Sequence, residues 1–351
     1  MKKLSVGWVG AGFVGQAAHL ERFVDFPNAE VKALAEKRHN LRNKVATSYQ
    51  IEGKFSDHKE LLENTSTEAI VAVVNRRHTF QVAKDVLQSG KHLLTEKPMA
   101  QTRSSATQLA DLSKEKGVIY SVGFMRRYDS GVLKAKDLID KYRENGEIGN
   151  IISVRIFVEA GDDYCGIQQR IKTDEPRPPT EEKDIAPEWL NKELHKDYEK
   201  FVNICSHDVN LLRFLIPEEP VITAVDYRAE GYSYALMDFD NFPGILEWVY
   251  RPSDSNGWKE GMEINFEKGK ISLNLPPAFL RNISSNITLS LDSSTNSREV
   301  SDLRIRGDYS WAFENSDRAF VDAVLHGKQT YHSGEDSVKD FDIIDQIWKK
   351  L

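Results

Sequence analysis

Residues 4–15 read LSVGWVGAGFVG and carry the strongest structural signal in this chain. A short β-prone run ends at Gly10, and Gly10, Gly12 and Gly15 are spaced as G-x-G-x-x-G before the helical spacing of Ala17–Phe26. In such a turn the first glycine permits the bend, the second lets a pyrophosphate approach the backbone, and the third allows close helix packing. The stretch predicts a strand, a turn and a helix that bind a dinucleotide.

The residue after the second predicted strand bears on the type of dinucleotide. Ala29–Ala35 reads as that strand, and Glu36 follows it. A carboxylate there accepts hydrogen bonds from both ribose hydroxyls and repels a 2′-phosphate, which favours NAD. Lys37, Arg38 and Arg42 leave NADP open, although cations of this kind also occur on a solvated helix start.

The rest of the first 123 residues repeats the strand and helix alternation. Runs at 69–74 and 91–95 are rich in Val, Ile or Leu and resemble buried parallel strands. Helical patterns lie between the strands, at 38–49, 56–64, 79–89 and 103–116. We therefore expect residues 1–123 to form a Rossmann domain with a doubly wound parallel sheet.

The pattern changes after Gly123. A helix at 129–144 is followed by longer β-rich stretches, at 150–160, 221–229, 232–240, 244–251, 260–266 and 285–291. Residues 173–186 are rich in proline and charge and predict an exposed loop, and helices are expected at 193–214, 311–326 and 335–350. Residues 124–351 thus predict a substrate-binding and oligomerisation α+β domain with a large, mainly antiparallel open sheet.

Composition narrows the possible partners. The chain has 351 residues, a formal net charge of −7 and two cysteines. The charge argues against nucleic-acid and anionic-membrane binding, and the two distant cysteines predict neither a disulfide framework nor a metal site. The apolar run up to Ala18 imitates a signal peptide, but its four glycines fit the dinucleotide turn better. We expect a cytoplasmic enzyme with a small-molecule substrate.

Glu96-Lys97-Pro98 directly follows the predicted strand 91–95. Open parallel sheets bind ligands at the carboxyl ends of their strands. An ammonium at this edge can hydrogen-bond a substrate hydroxyl and stabilise a developing oxyanion. For the tripeptide alone, a surface lysine before a turn proline is the stronger interpretation.

Several ordered motifs together resemble the glucose-fructose oxidoreductase, inositol dehydrogenase and rhizopine catabolism (Gfo/Idh/MocA) family over nearly the whole chain. They are the Gly10–Gly15 turn, Ala69–His78, Gly90–His92 before Glu96–Pro98, Gly123–Tyr128, a helix with His207, and Ser333–Asp336. The resemblance implies hydride transfer between NAD(P) and a secondary hydroxyl or keto carbon of a sugar, cyclitol or nucleotide sugar. It also implies that Lys97 polarises the substrate oxygen while His207 takes its proton.

The resemblance and the residue chemistry together give the expected contacts. The catalytic set is Lys97, His207 and Asn203. The cofactor set is Gly10, Gly12, Phe13, Val14, Glu36, Lys37, Arg38, Val74, Asn75, His78, Glu96, Lys97 and Arg126. The substrate set is Lys97, Arg126, Tyr128, Tyr164, Arg170, Asn203 and His207; for Arg170, a plain surface position is the stronger interpretation.

The sequence departs from the family at three places. Asn203 and Asn210 stand where aspartates are typical, and Val73-Val74 replaces a usual Thr-Pro before Asn75. Three alternatives stay open: a glycosidase that oxidises its sugar transiently with NAD, a non-catalytic dinucleotide sensor, and a scaffold. A homodimer or homotetramer is expected.

Overall fold

The computed structural model describes residues 2–162, 164–180, 185–250, 257–293 and 299–351. It divides into two compact units, neither of which is one continuous stretch of chain. The first comprises Met1–Phe124, Ile167–Asn203 and Phe313–Phe341, and the second Met125–Gly166, Ile204–Ala312 and Asp342–Leu351. The expected division into residues 1–123 and 124–351 stays a prediction, and limited proteolysis would test it.

The first unit is built on a parallel six-stranded sheet. Its strands are β1 (Leu4–Val9), β2 (Ala29–Ala35), β3 (Gly53–Phe55), β4 (Ala69–Ala72), β5 (His92–Thr95) and β6 (Tyr120–Val122). The strands lie in the order β3-β2-β1-β4-β5-β6, and every neighbouring pair is parallel. This order reverses direction between β1 and β4, and open sheets of this type bind ligands beside that reversal.

Helices connect these strands. A π-helical turn at Gly15–Leu20 leads into α1 (Glu21–Asp25), and the others are α2 (His39–Ser48), α3 (His58–Asn64), α4 (Arg76–Gln88) and α5 (Arg103–Lys116). Asp57, Asn75 and Thr102 cap α3, α4 and α5 by accepting backbone N–H bonds. Gly117 ends α5 in the left-handed conformation, as expected of its position.

Later parts of the chain complete the core of the first unit. Trp8, Leu34 and Val71 from the sheet are fully buried beside Phe320 and Val321. These last two belong to α8 (Ala312–His326). The short α9 (Gly334–Val338) is capped by Ser333, which also forms a β-bridge with Ser121 of β6. The parallel sheet is therefore covered partly by residues that follow its last strand by almost 200 positions.

The second unit contains an eight-stranded sheet. Its strands are β7 (Ile151–Ala160), β8 (Val221–Asp226), β9 (Gly231–Asp238), β10 (Pro243–Tyr250), β11 (Lys259–Phe266), β12 (Gly269–Leu275), β13 (Asn286–Asp292) and β14 (Val300–Arg306). The order is β14-β13-β12-β11-β7-β10-β9-β8, and only the β7–β10 pair is parallel. Trp248, Met262 and Ile264 are among its buried residues.

Three further α-helices lie in the described residues. They are α6 (Ser130–Asn145), α7 (His195–Leu215) and α10 (Asp340–Trp348). The predicted fold class is confirmed: a parallel Rossmann sheet with a second, mainly antiparallel sheet. Within the described parts of the chain, none of the helices combines the length and the apolarity needed to span a bilayer.

The main differences from expectation are local. The helix expected from Ala17 begins at Phe13, and its residues Gly15–Leu20 have π-helical geometry. The short β3 and β6 and the later β12 and β14 were not expected, because their runs are short or mostly polar. Residue 251 of the strand expected at 244–251, and 181–184 of the loop expected at 173–186, lie outside the described residues.

Candidate active site

The glycine turn after β1 has the geometry that its spacing predicts. Gly10 has φ +92°, and a Cβ there would lie 2.3 Å from the carbonyl oxygen of Val73. A Cβ on Gly15 would lie 3.2 Å from the Gly10 carbonyl oxygen, whereas one on Gly12 would meet no atom within 4 Å. The space above Gly12 is thus open to a ligand, which fits a pyrophosphate approaching the backbone of this turn.

Glu36 lies directly beside this turn. Its carboxylate accepts hydrogen bonds from the Ala11 backbone N–H at 2.9 Å and from the Arg38 guanidinium at 2.9 and 3.0 Å. Burial alone would raise the pKa of Glu36, but hydrogen bonds from Arg38 and Ala11 outweigh it and lower that pKa. Glu36 is therefore an anion fixed at the end of β2. Lys37 is exposed, and Arg42 donates to the Glu36 carbonyl at 2.8 Å.

A segment between residues 169 and 175 also contacts the turn. The Gln16 and Gln169 side chains both donate to the Ala11 carbonyl oxygen, at 2.8 and 3.3 Å, and both donate to the Ile171 carbonyl. Farther along, the Glu175 carboxylate accepts the N–H groups of Asn40 and Leu41, both at 2.9 Å. It therefore occupies the N-terminus of α2, a place where anions bind.

The predicted contacts after β4 lie around the start of α4. Val74 is half-buried, Asn75 is exposed and caps the helix, and His78 lies in the first turn. Arg76 and Arg77 at the same helix start both contact Glu199, which is on α7. The Arg77 hydrogen bond, helped by Arg76, lowers the pKa of Glu199. This cluster of two arginines and one glutamate was not predictable from the sequence, because its partners are separated by more than 120 positions.

Lys97 lies at the carboxyl end of β5. Its Nζ donates to the backbone carbonyl oxygen of Asn203 at 2.6 Å. Glu96, beside it, accepts the Lys97 backbone N–H at 3.1 Å. A Cβ on Gly123 would lie 2.6 Å from Glu96 Oε1, so only glycine leaves room for this carboxylate. The structure thus brings Lys97 together with Asn203, two of the three predicted catalytic residues.

The third predicted catalytic residue, His207, is half-buried on α7 four positions after Asn203. Residues four apart lie on the same face of a helix. Asn210 is buried, and its backbone carbonyl accepts a hydrogen bond from Arg127. The catalytic role of His207 stays a prediction.

The remaining predicted contacts have other partners. Arg126 is buried in an ion pair with Glu260, at 2.5 Å, and also donates to the Pro276 carbonyl. Tyr128 is buried, and Tyr164 is exposed with its ring edge-on to Phe279. These contacts give Arg126 a structural role within the second unit, and its predicted ligand contacts stay predictions.

Arg170 lies in the first unit with its side chain 60% exposed. It is 5.5 Å from the ring centre of Tyr49 and 3.4 Å from Glu21. This placement agrees with the surface position that was the stronger interpretation of the sequence.

A buried histidine that contacts Glu96 was not predicted from the sequence. His19 contacts Asp317 and Glu96 through its two ring nitrogens. The only sequence signal was a histidine shortly after the glycine turn, and its partners come from distant segments. Gln16, Gln169, Glu175 and Glu199 were missed for the same reason.

The parallel sheet, its strand order, the glycine turn and the acidic residue after β2 define a dinucleotide-binding Rossmann unit. Residues 4–124 match the family model described as an oxidoreductase family with an NAD-binding Rossmann fold. This match confirms, over residues 4–124, the resemblance to the Gfo/Idh/MocA family seen in the motifs.

Curated relatives include dehydrogenases. The chain is 27% identical over 233 residues to levoglucosan dehydrogenase of Pseudarthrobacter phenanthrenivorans, covering 64% of this chain and 54% of the relative. It is 34% identical over 157 residues to an inositol 2-dehydrogenase/D-chiro-inositol 3-dehydrogenase of Lacticaseibacillus casei, covering 43% of each. The matches thus span about half the length of these relatives.

Solved structures share the fold over almost the whole chain. A levoglucosan dehydrogenase in complex with NADH and levoglucosan has a TM-score of 0.76 at 19% identity, covering 99% of this chain and 97% of that one. A 3-ketoreductase from Actinomadura kijaniata in complex with NADP and TDP-benzene has a TM-score of 0.75 at 17% identity, covering 99% and 98%. At these identities the likeness concerns the fold.

Proposed function

We propose that this protein is an NAD(P)-dependent oxidoreductase acting on a secondary hydroxyl or keto carbon of a sugar, cyclitol or nucleotide sugar. The observation that carries the proposal is Lys97, whose ammonium is held by the Asn203 carbonyl at the carboxyl edge of a family Rossmann sheet. The curated relatives that act on levoglucosan and inositols support the substrate class.

The cofactor site is proposed to lie at the carboxyl ends of β1 and β2. The backbone of Gly10–Gly15 would receive the pyrophosphate, and Glu36 would accept the ribose hydroxyls. Bound there, the nicotinamide supplies an acceptor for the hydride that leaves the carbinol carbon of the substrate. NAD is favoured because Glu36 is a buried anion whose guanidinium partner, Arg38, is already engaged.

Two side chains are proposed to handle the substrate oxygen. Lys97 would donate a hydrogen bond to that oxygen from an ammonium that the Asn203 carbonyl keeps in place. His207 would accept the hydroxyl proton as the C–H bond breaks and the C=O bond forms. In reduction the same residues act in reverse, with His207 as the proton donor.

The finer expectations are part of the same proposal. We place the protein in the cytoplasm as a homodimer or homotetramer, with the eight-stranded sheet contributing substrate contacts. Arg126, Tyr128 and Tyr164 are candidates for those contacts, and a cationic pocket would suit a uronate or a nucleotide sugar.

The test is a screen of sugars, cyclitols and nucleotide sugars with NAD and with NADP, read as absorbance of the reduced nicotinamide. We expect net reduced cofactor with one substrate class, and much slower formation of it by Lys97→Ala. Release of an aglycone without net reduced cofactor would instead identify a glycosidase. Tight NADH binding without turnover on any member of the panel would identify a sensor.

A further inference from the structure

The π-helical segment Gly15–Leu20, which follows the glycine turn, contains a buried histidine, His19. His19 is 2% exposed and lies near the end of this segment. π-helical turns are rare and are frequently found at functional sites. The position of His19 therefore indicates a role other than packing.

Both ring nitrogens of His19 face a carboxylate. Nδ1 is 2.8 Å from Asp317 Oδ1, and Nε2 is 3.0 Å from Glu96 Oε1. A neutral imidazole has one N–H and can donate to only one of them, whereas the imidazolium donates to both. The contacts therefore define a cation between two anions.

The surroundings agree with that charge. Asp317 is fully buried on α8, where Glu314 adds a second acidic side chain and Phe313 packs edge-on to the imidazole at 5.2 Å. From α1, Arg22 lies 3.9 Å from Glu314 and offsets part of its charge.

Burial alone would lower the pKa of His19, but Asp317 and Glu96 raise it to about 10. Burial also raises the pKa of Asp317, to about 6, against the attraction of His19.

The chain of contacts leads to Lys97. Glu96 uses Oε1 for His19 and Oε2 for the Lys97 backbone N–H. We propose that His19, as a buried cation between Asp317 and Glu96, is a positioning residue that fixes the Glu96–Pro98 turn and so aims Lys97. The role in catalysis rests on the function proposed above, because Lys97 must act on the substrate.

The first experiment replaces His19→Gln and compares it with His326→Gln, an exposed histidine on the helix that carries Asp317. We expect kcat to fall about tenfold while KM and the dissociation constant for NAD stay within about twofold, because misplaced catalytic groups cost rate more than binding. His326→Gln should keep normal kinetics. An unchanged kcat in folded His19→Gln would overturn the positioning role.

The second experiment uses Asp317→Asn, which is nearly isosteric and keeps the imidazole. Losing one carboxylate lowers the pKa of His19, so kcat of this variant should decline as pH rises over a range where the unsubstituted protein is unaffected. If His19→Gln does not fold, this variant decides the question. Parallel pH profiles for Asp317→Asn and the unsubstituted protein would contradict the proposal.

A spectroscopic experiment separates this inference from the proposed reaction. In protein with ¹⁵N-labelled histidine, both His19 nitrogens should carry protons from about pH 6 to 9 without cofactor or substrate. The backbone amide signal of Lys97 should shift in His19→Gln and not in His326→Gln. A neutral His19 ring at pH 8, or an unmoved Lys97 signal, would refute the inference even if no substrate is found.

Discussion

The candidate site at the carboxyl ends of the parallel strands has two parts, and these two parts are assembled differently. At the β1–β2 edge, defined here as Gly10–Gly15 and Glu36, most contacts join residues within one 40-residue stretch. At the β4–β5 edge, defined as Arg76, Arg77, Glu96 and Lys97, the partners are His19, Glu199 and Asn203, which lie about 77 to 123 positions away. The first edge is a local motif and the second is a product of tertiary structure.

The two regions also differ in the chemical groups that they offer, and this predicts which substitutions change the rate and which change binding. The β1–β2 edge offers backbone N–H groups and a fixed carboxylate, which suit holding a ligand. The β4–β5 edge offers an ammonium, which suits stabilising charge on a reacting oxygen.

The largest expected effect is that of Lys97→Ala, and Lys91→Ala is its matched control. Lys91 and Lys97 stand at opposite ends of β5, and each donates to a backbone carbonyl at 2.6 Å. Lys97→Ala should lower kcat by about a hundredfold or more, whereas Lys91→Ala should change only stability. Steady-state kinetics measures kcat of both variants, and calorimetry measures their affinity for NAD. Equal losses in both variants would show that Lys97 merely packs.

His207→Ala should come next, with a loss of about tenfold to a hundredfold in kcat and no acidic limb in the pH profile of kcat/KM. His195→Ala, on the same helix, is the control and should keep that limb. Near-normal turnover of His207→Ala would remove this residue from the mechanism.

Asn203→Asp sharpens the same question with a smaller change. A carboxylate one helical turn before His207 would favour imidazolium, so the acidic limb should move upward by about one pH unit or less. An unmoved limb would show that Asn203 and His207 are not coupled.

At the β1–β2 edge, Glu36→Gln should change cofactor choice rather than rate. Loss of the anion frees Arg38 for a 2′-phosphate, so the ratio of NADP to NAD affinity should rise about tenfold, while kcat with saturating cofactor stays within about threefold. Calorimetry with both dinucleotides measures the ratio. A ratio that does not change would mean that neither Glu36 nor Arg38 selects the cofactor.

The smallest effect concerns stability. The pKa of His19 is raised from 6.5 to about 10, so its stabilising contribution is complete below about pH 6.5 and is lost as pH rises through about 10. The raised pKa of Asp317 has the same sign, with a loss between about pH 4 and 6. The melting temperature should therefore fall from pH 7 to 10, and less steeply in His19→Gln. Parallel slopes would show that His19 is not the group responsible.

The same contrast between local and distant contacts explains which features of the fold and the site were predictable from the sequence. The parallel sheet, the glycine turn and Glu36 follow from local spacing, and the structure confirms the fold that they predict. The motif also indicated Lys97, but its anchor at Asn203 was not predictable, because nothing in either segment records which backbone carbonyl the ammonium meets. The π-helical turn was missed because a single residue of altered register leaves the apolar spacing nearly unchanged.

The three-part composition of the first unit bears on how the protein is made. During synthesis residues 1–124 leave the ribosome long before Asp317, Phe320 and Val321 are translated. Until then the nascent sheet lacks part of its cover, and His19 lacks one of its two anions. The first unit therefore reaches its final packing only after these α8 residues have been translated, and until then its exposed apolar surface is a binding site for chaperones.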